Sequence, residues 1–335
     1  MKFSKGIAAI VGASAAAVAY AWLAPAVDAT HRGRHQLTSA GKLKLRLWRL
    51  LYGATTARKS KQSTMPLRAM YSVGAYKIPT RYGTVPVTIY RPFHDQQPPL
   101  PVYFNFHEGG FVFRNAEQDD RLCRYIADQV SCLVVNVDYS VAPESSFPRP
   151  VHEGFDAVKW VVEHQQELGI DEARVAVGGQ SAGGNIAAAV ALMNRDEHAF
   201  SLKLQIMNYP ALDLSLPVEQ KNLLPYRKQM INQENAALFN TAYVPMTDAR
   251  VHPLASPVYA ESLEALPPAL ITTAQFDLLK PDGERYAALL REQQVPVTYQ
   301  EFAGVDHGFT QSGTPAQIKA SWELIVNSLK EAFKR

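Results

Sequence analysis

Cysteine is scarce: the 335 residues hold two, Cys123 and Cys132. Two thiols do not make a disulfide framework, and Cys132 opens the apolar run Cys132-Leu133-Val134-Val135, so both are expected as small buried hydrophobes. Metal-ligand spacing is missing as well. The nine histidines are scattered, and His107-Glu108 begins like the zinc motif H-E-x-x-H only to meet Phe111 where the second histidine belongs. No metal is expected. The net charge of +3 is small and does not argue for a nucleic-acid partner. Acidic residues are absent between Asp28 and Asp95, although Arg32, Arg34, Lys42, Lys44, Arg46, Arg49, Arg58, Lys59, Lys61 and Arg68 all fall there. Aromatic residues that could stack on bases are sparse in this stretch, which excludes a nucleic-acid arm. Internal repeats and low-complexity linkers are also lacking.

What is present is an ordinary globular chain, 47% hydrophobic, with enough apolar residues for a sizeable core. A prior of roughly 150 residues per domain would suggest two domains, but α/β domains often run longer as one unit. Lys2 and Lys5 precede an apolar stretch from Ile7 to Val27, with small residues at Ala24-Pro25-Ala26 and Val27-Asp28-Ala29. That order predicts a signal peptide or an uncleaved membrane anchor over residues 1–29, and hence an exported or membrane-held protein. The basic residues from Arg32 onward outnumber Lys2 and Lys5, which would hold the C-terminal flank of an anchor on the cytoplasmic side. Residues 30–80 read as a basic helical segment. Over Leu37–Tyr52, Leu43, Leu47, Leu50 and Leu51 share one face, with Lys42, Arg46 and Arg49 on the other. Such a helix suits either a membrane surface or a cap over an active site.

From residue 81 to the end, strands and helices alternate. Strands are expected at Val85–Tyr90, Pro101–Phe106, Cys132–Val137, Arg174–Val177, Leu202–Met207, Ala269–Thr273 and Val297–Tyr299. Helices are expected near 117–129, 152–168, 185–193, 283–292 and 316–333, the last opened by Pro315. The alternation predicts an α/β fold, a mainly parallel sheet with helices on both faces. Residues 212–250 break the rhythm and are expected to be an inserted cap.

Two short motifs carry chemistry. Gly179-Gln180-Ser181-Ala182-Gly183 fits G-x-S-x-G and stands between an apolar strand and an Ala-rich helix. A sharp strand-to-helix turn needs small residues around the serine, and it presents the hydroxyl at a helix N-terminus. A plain structural turn is the alternative, made less attractive by the placement after a strand. His107-Glu108-Gly109-Gly110-Phe111 follows the strand that ends at Phe106. Glycines there let backbone N–H groups approach a substrate oxygen, so Gly109 and Gly110, with Ala182 after the serine, are candidate oxyanion donors.

The chain resembles the hormone-sensitive-lipase-like family of α/β-hydrolases, which includes the arylacetamide deacetylase-like esterases. The resemblance rests on HEGGF from His107, VDYSVAPE from Val137, FP at Phe147, GGQSAGGNIA from Gly178, YPALDLS from Tyr209, FDLLKPDGERYA from Phe276 and DHGF from Asp306. These stretches span residue 80 to the end. The resemblance implies an α/β-hydrolase fold with a helical cap, and a Ser-His-Asp triad of Ser181, His307 and Asp277. It also implies a small-molecule ester as substrate, hydrolysed through an acyl-enzyme without a cofactor. Asp282, about one turn after Asp277, is the competing acid. An amidase, a deacetylase or a true lipase would use the same triad, and a non-catalytic binding protein would use the same fold. The binding protein is disfavoured because all three residues are present.

The chain departs from the family at three places. Glu108 replaces the first glycine of the family motif, Gln180 replaces the acidic residue that usually precedes the nucleophile, and Ser140 stands where the family has Arg. A carboxylate ~4 Å from the oxyanion would oppose it by about 4 kcal/mol at an effective dielectric of ~20. Glu108 is therefore expected to turn outward, or to be neutralised by a cation or by hydrogen bonds.

Overall fold

The computed structural model describes residues 17, 20, 21, 23–30, 34–62, 65–93, 99–224 and 227–334. Most of the expected leader or anchor lies outside the described residues. Its end is described: β1 (Val27–Thr30) pairs antiparallel with β2 (Arg34–Leu37). Among the described residues no helix is long and apolar enough to cross a membrane.

Helix α1 (Ser39–Gln62) follows. The sheet is then built from β3 (Ser72–Thr80), β4 (Gly83–Arg91), β5 (Leu100–Phe106), β6 (Leu133–Val137), β7 (Ile170–Gln180), β8 (Leu204–Asn208), β9 (Ala269–Ala274) and β10 (Val297–Phe302). These eight strands lie in the order β10-β9-β8-β7-β5-β6-β4-β3. The six from β10 to β6 run parallel, and β4 and β3 add on antiparallel. Every residue of β5, β6, β8 and β9 is buried, as befits parallel strands covered on both faces. The covering helices are α2 (Asp120–Val130), α3 (Arg149–Glu163), the short α4 (Gln165–Leu168), α5 (Ala182–Glu197), α6 (Gln233–Tyr243), α7 (Lys280–Glu292), the short α8 (Phe309–Ser312) and α9 (Pro315–Lys334).

Three strands went unread in the sequence, the short pair β1 and β2 and the longer β3. Residues 72–80, placed there in a helical segment, form the edge strand β3. Eight of its nine residues are exposed or half-buried, with Ile78 as the buried one, so the alternation that marks a strand is nearly absent. Pairing to β4 over the full length from Ser72↔Arg91 to Thr80↔Gly83 makes it a strand.

The order of the sheet determines where a site can form. From β5 the chain crosses to β6 on one side, whereas from β7 it crosses to β8 on the other. Strands β5 and β7 are neighbours, with Phe106 opposite Gly179. Connections leaving in opposite directions open a crevice at the carboxyl ends of this pair. The loops that enter the crevice are the two that carry the sequence motifs.

Candidate active site

Strand β7 turns into helix α5 at Ser181, which adopts φ 54° and ψ −115°. This is a costly conformation for a residue with a Cβ, worth about 1–3 kcal/mol, and it must be imposed by its surroundings. The Ser181 N–H donates to Asn208 O at 2.8 Å and the Ser181 carbonyl accepts from Asn185 N–H at 3.2 Å. The flanking glycines are a steric requirement. A Cβ on Gly183 would stand 2.0 Å from Phe106 O, and one on Gly179 would stand 2.5 Å from the same atom. The turn is thus pressed against the end of β5 with no room for side chains.

Two loops from the far half of the chain complete the cluster. The loop after β9 brings Asp277, and the loop after β10 brings His307. Ser181 Oγ lies 2.8 Å from His307 Nε2, and His307 Nδ1 lies 2.7 Å from Asp277 Oδ2. The other carboxylate oxygen of Asp277 accepts the Leu279 N–H at 2.9 Å. All three side chains are buried. Burial alone would push the imidazole pKa down, but Asp277, helped by Glu108 and Asp306, raises it above its ordinary value. Asp306 also fastens the loop, accepting the His307 N–H at 2.7 Å and the Met230 N–H at 3.0 Å.

Asp282 lies elsewhere. Its carboxylate accepts the N–H groups of Leu212 and Asp213, both at 3.0 Å, and pairs with Lys221 Nζ at 2.7 Å. Both partners of the ion pair are buried, so this carboxylate anchors the start of the inserted segment to α7.

The glycine loop after β5 sits on the other side of Ser181. Gly109 and Gly110 have φ 133° and 57°, values that favour glycine. The Gly109 carbonyl accepts the N–H groups of Val112 and Phe113 at 3.0 and 2.9 Å, closing a tight turn. His107 braces it from below. Its ring stacks on Tyr139 with centroids 4.1 Å apart, its Nδ1 bonds Glu108 O at 2.6 Å, and the Tyr139 O–H donates to His107 O at 2.7 Å. Full burial lowers the His107 pKa to about 4, so this histidine is neutral at physiological pH.

Glu108 takes the second of its two expected forms, a carboxylate held by hydrogen bonds rather than turned outward. It is 8% exposed, with Oε1 accepting from Gln118 Nε2 at 2.8 Å and Oε2 accepting from the Tyr209 O–H at 3.3 Å. Hydrogen bonds rather than solvent hold this carboxylate. Tyr209 and Gln118 carried no role in the sequence reading. Tyr209 was visible only as part of a motif after β8, and Gln118 gave no signal.

Helices α1 and α6 lie over the glycine loop. The rings of Trp48, Phe113 and Phe239 meet with centroids 5.7–6.4 Å apart, and a Cβ on Gly110 would reach within 2.7 Å of the Phe239 ring. Arg49 donates to Val112 O at 2.8 Å and pairs with Glu144 at 2.9 Å. The buried stripe of α1 is not the one read on the helical wheel. Ala40, Lys44 and Leu45 are buried, Leu43 and Leu47 half-buried, and Leu50 is 73% exposed; the Leu51 side chain lies outside the described residues. Lys44 is tolerated inside because it pairs with Glu234 of α6 and lies 5.1 Å from the centre of the Trp48 ring.

Comparison with known proteins agrees with the fold. Residues 103–311 match the family described as the α/β hydrolase fold. The chain belongs to the hormone-sensitive-lipase-like family of α/β-hydrolases. An arylesterase of Saccharolobus solfataricus is 34% identical over 252 residues, covering 75% of this chain and 80% of that one. A carboxylesterase of Mycobacterium tuberculosis is 35% identical over 258 residues, covering 74% and 79%. The solved esterase of Pyrobaculum calidifontis superposes with a TM-score of 0.79 at 33% identity, over 86% of this chain and 92% of that one. Family membership makes the chain an enzyme, a serine hydrolase of the carboxylesterase class.

Proposed function

We propose that the enzyme hydrolyses short- to medium-chain carboxylic esters with Ser181 as nucleophile, His307 as general base and acid, and Asp277 as the orienting carboxylate. The observation that carries this reading is the hydrogen-bonded relay from Ser181 Oγ to His307 at 2.8 Å and from His307 to Asp277 at 2.7 Å. His307 takes the serine proton as Oγ attacks the ester carbonyl, and Asp277 holds the imidazole tautomer and stabilises its cation. The oxyanion is received by the N–H groups of Gly109, Gly110 and Ala182. Ala182 is the first residue of α5, where N–H groups have no acceptor within the helix and the dipole favours negative charge. The C–O bond to the alcohol then breaks as His307 returns the proton to the leaving oxygen. Water, deprotonated by the same imidazole, releases the acid from the acyl-enzyme.

The acyl-length preference follows from the aromatic cover. Phe239, Trp48 and Phe113 pack together over the glycine loop, a cover that would restrict a long chain. The expected result is a higher kcat/KM on soluble butyrate or hexanoate esters than on emulsified long-chain triglyceride. Rates across p-nitrophenyl esters of rising chain length, with triolein alongside, check it; faster triolein turnover would mean a lipase.

The N-terminal segment is proposed to hold the enzyme at a membrane. Support comes from the basic-apolar order of residues 2–27 and from exposed apolar side chains near it, with Leu23 at 85% and Tyr20 at 51%. Cleavage at Ala29 would cut β1 apart, which favours retention over removal. The intact chain should therefore sediment with membranes. An intact chain recovered wholly in the soluble fraction refutes the anchor, and a mature N-terminus near Ala29 or Thr30 would mark a cleaved leader instead.

A further inference from the structure

Glu108 occupies a position where the family carries glycine, yet its carboxylate is buried and bonded on both oxygens. Its partners lie on three different parts of the fold. Gln118 precedes α2, Tyr209 follows β8, and the carboxylate also stands against the loop of the candidate base, since a Cβ on Gly308 would be 3.9 Å from Glu108 Oε2. Tyr209 reaches the same loop twice. Its ring packs edge-on against the His307 ring with centroids 4.8 Å apart, and its hydroxyl shares a hydrogen bond with Thr310 Oγ1.

We propose that Glu108 is a positioning residue for His307: its carboxylate, held by Gln118 and Tyr209, ties the glycine loop to the histidine loop and supplies a second negative charge against which the imidazolium forms. This rests on the proposed role of His307 as base. The charged and titratable groups around the pair are few. Asp277 faces His307 from the loop after β9 and Asp306 from its own loop, while Tyr139, Tyr209 and Asp119 face Glu108. Burial, followed by the charge of Glu108, pushes Asp119 up to about 8, so at neutral pH Asp119 is mostly protonated. Asp119 is bonded to Asn105 at 2.8 Å and to Gln311.

The sign of the effect is determined by the chemistry. Only neutral imidazole accepts the serine proton, so kcat/KM falls as pH drops through the His307 pKa. A negative charge nearby raises that pKa, and its removal lowers it. The test is the pH profile of kcat/KM on p-nitrophenyl butyrate for the full chain. Glu108→Gln should move the acid limb to lower pH by about half a unit to one unit, a smaller shift than a direct ion pair gives. The plateau should change by no more than about tenfold. Glu108→Asp, which keeps the charge, should leave the limb near its wild-type position. Should Glu108→Gln fold poorly, Glu108→Gly restores the family residue and should show the same displaced limb. An acid limb unmoved in the charge-removing variants overturns the proposal, as does a loss equal to that of Ser181→Ala with the fold intact. Absence of ester turnover in the wild-type enzyme would instead sink the proposed function, so the two failures are told apart.

Discussion

Replacing Ser181 by alanine is expected to lower ester turnover by several orders of magnitude while leaving the circular dichroism spectrum unchanged. The side chain makes one hydrogen bond, to His307, and nothing else in the fold leans on its hydroxyl. In the proposed mechanism, loss of that oxygen removes the atom that forms the acyl-enzyme. Residual catalysis of roughly 10³–10⁴ over water would persist, because the backbone donors and the binding crevice remain. His307→Ala should cost a similar factor, and the double variant little more, since nucleophile and base act as a unit. Turnover of p-nitrophenyl butyrate under matched folding controls measures this. Near-wild-type activity in Ser181→Ala would place the nucleophile elsewhere.

The two neighbouring carboxylates should separate into different kinds of defect. Asp277→Asn puts an amide opposite His307 Nδ1, where a carboxylate now sits at 2.7 Å. The amide can donate to Nδ1 and so favours the tautomer with its proton on Nε2, the nitrogen that must accept from Ser181. In serine proteases the equivalent change costs about 10⁴-fold in kcat with the geometry intact. A loss of that order is expected here, with little change in thermal midpoint. Asp282→Asn should do the reverse. It leaves Lys221 buried without its countercharge, and breaking such a pair costs about 3–5 kcal/mol. The thermal midpoint should drop by several degrees while the folded fraction keeps most of its kcat. Comparable kinetic losses in both variants would show that Asp282 also supports the base.

Much of this site could be read from local sequence because its parts are local constraints. A strand that ends in G-x-S-x-G must turn sharply, and the steric reason is visible at Gly183, whose missing Cβ makes room for Phe106 O. The glycine loop reads equally well, because positive φ at Gly109 and Gly110 is a property of the residues themselves. The buried strands were legible from their unbroken apolar runs. Strand β3 was not, because an edge strand with most of its side chains in solvent has no apolar face to show.

Other features depend on partners far away in the chain. Ser181 and His307 meet across 126 residues, and the preference for Asp277 over Asp282, five positions later, came from the family resemblance. In the fold one carboxylate reaches the imidazole and the other reaches Lys221. The wheel of α1 mistook its buried stripe because Glu234, 190 residues on, makes a buried Lys44 tolerable. For Glu108 the sequence left two orientations open, outward or hydrogen-bonded, and donors from before α2 and after β8 hold it inside. Local sequence by itself determined the buried strands, the sharp turn at Ser181 and the glycine loop, since steric limits and apolar runs act over a few residues. Only the tertiary structure decided which charges are buried and what they face, because desolvation and charge pairing depend on neighbours that the fold brings together.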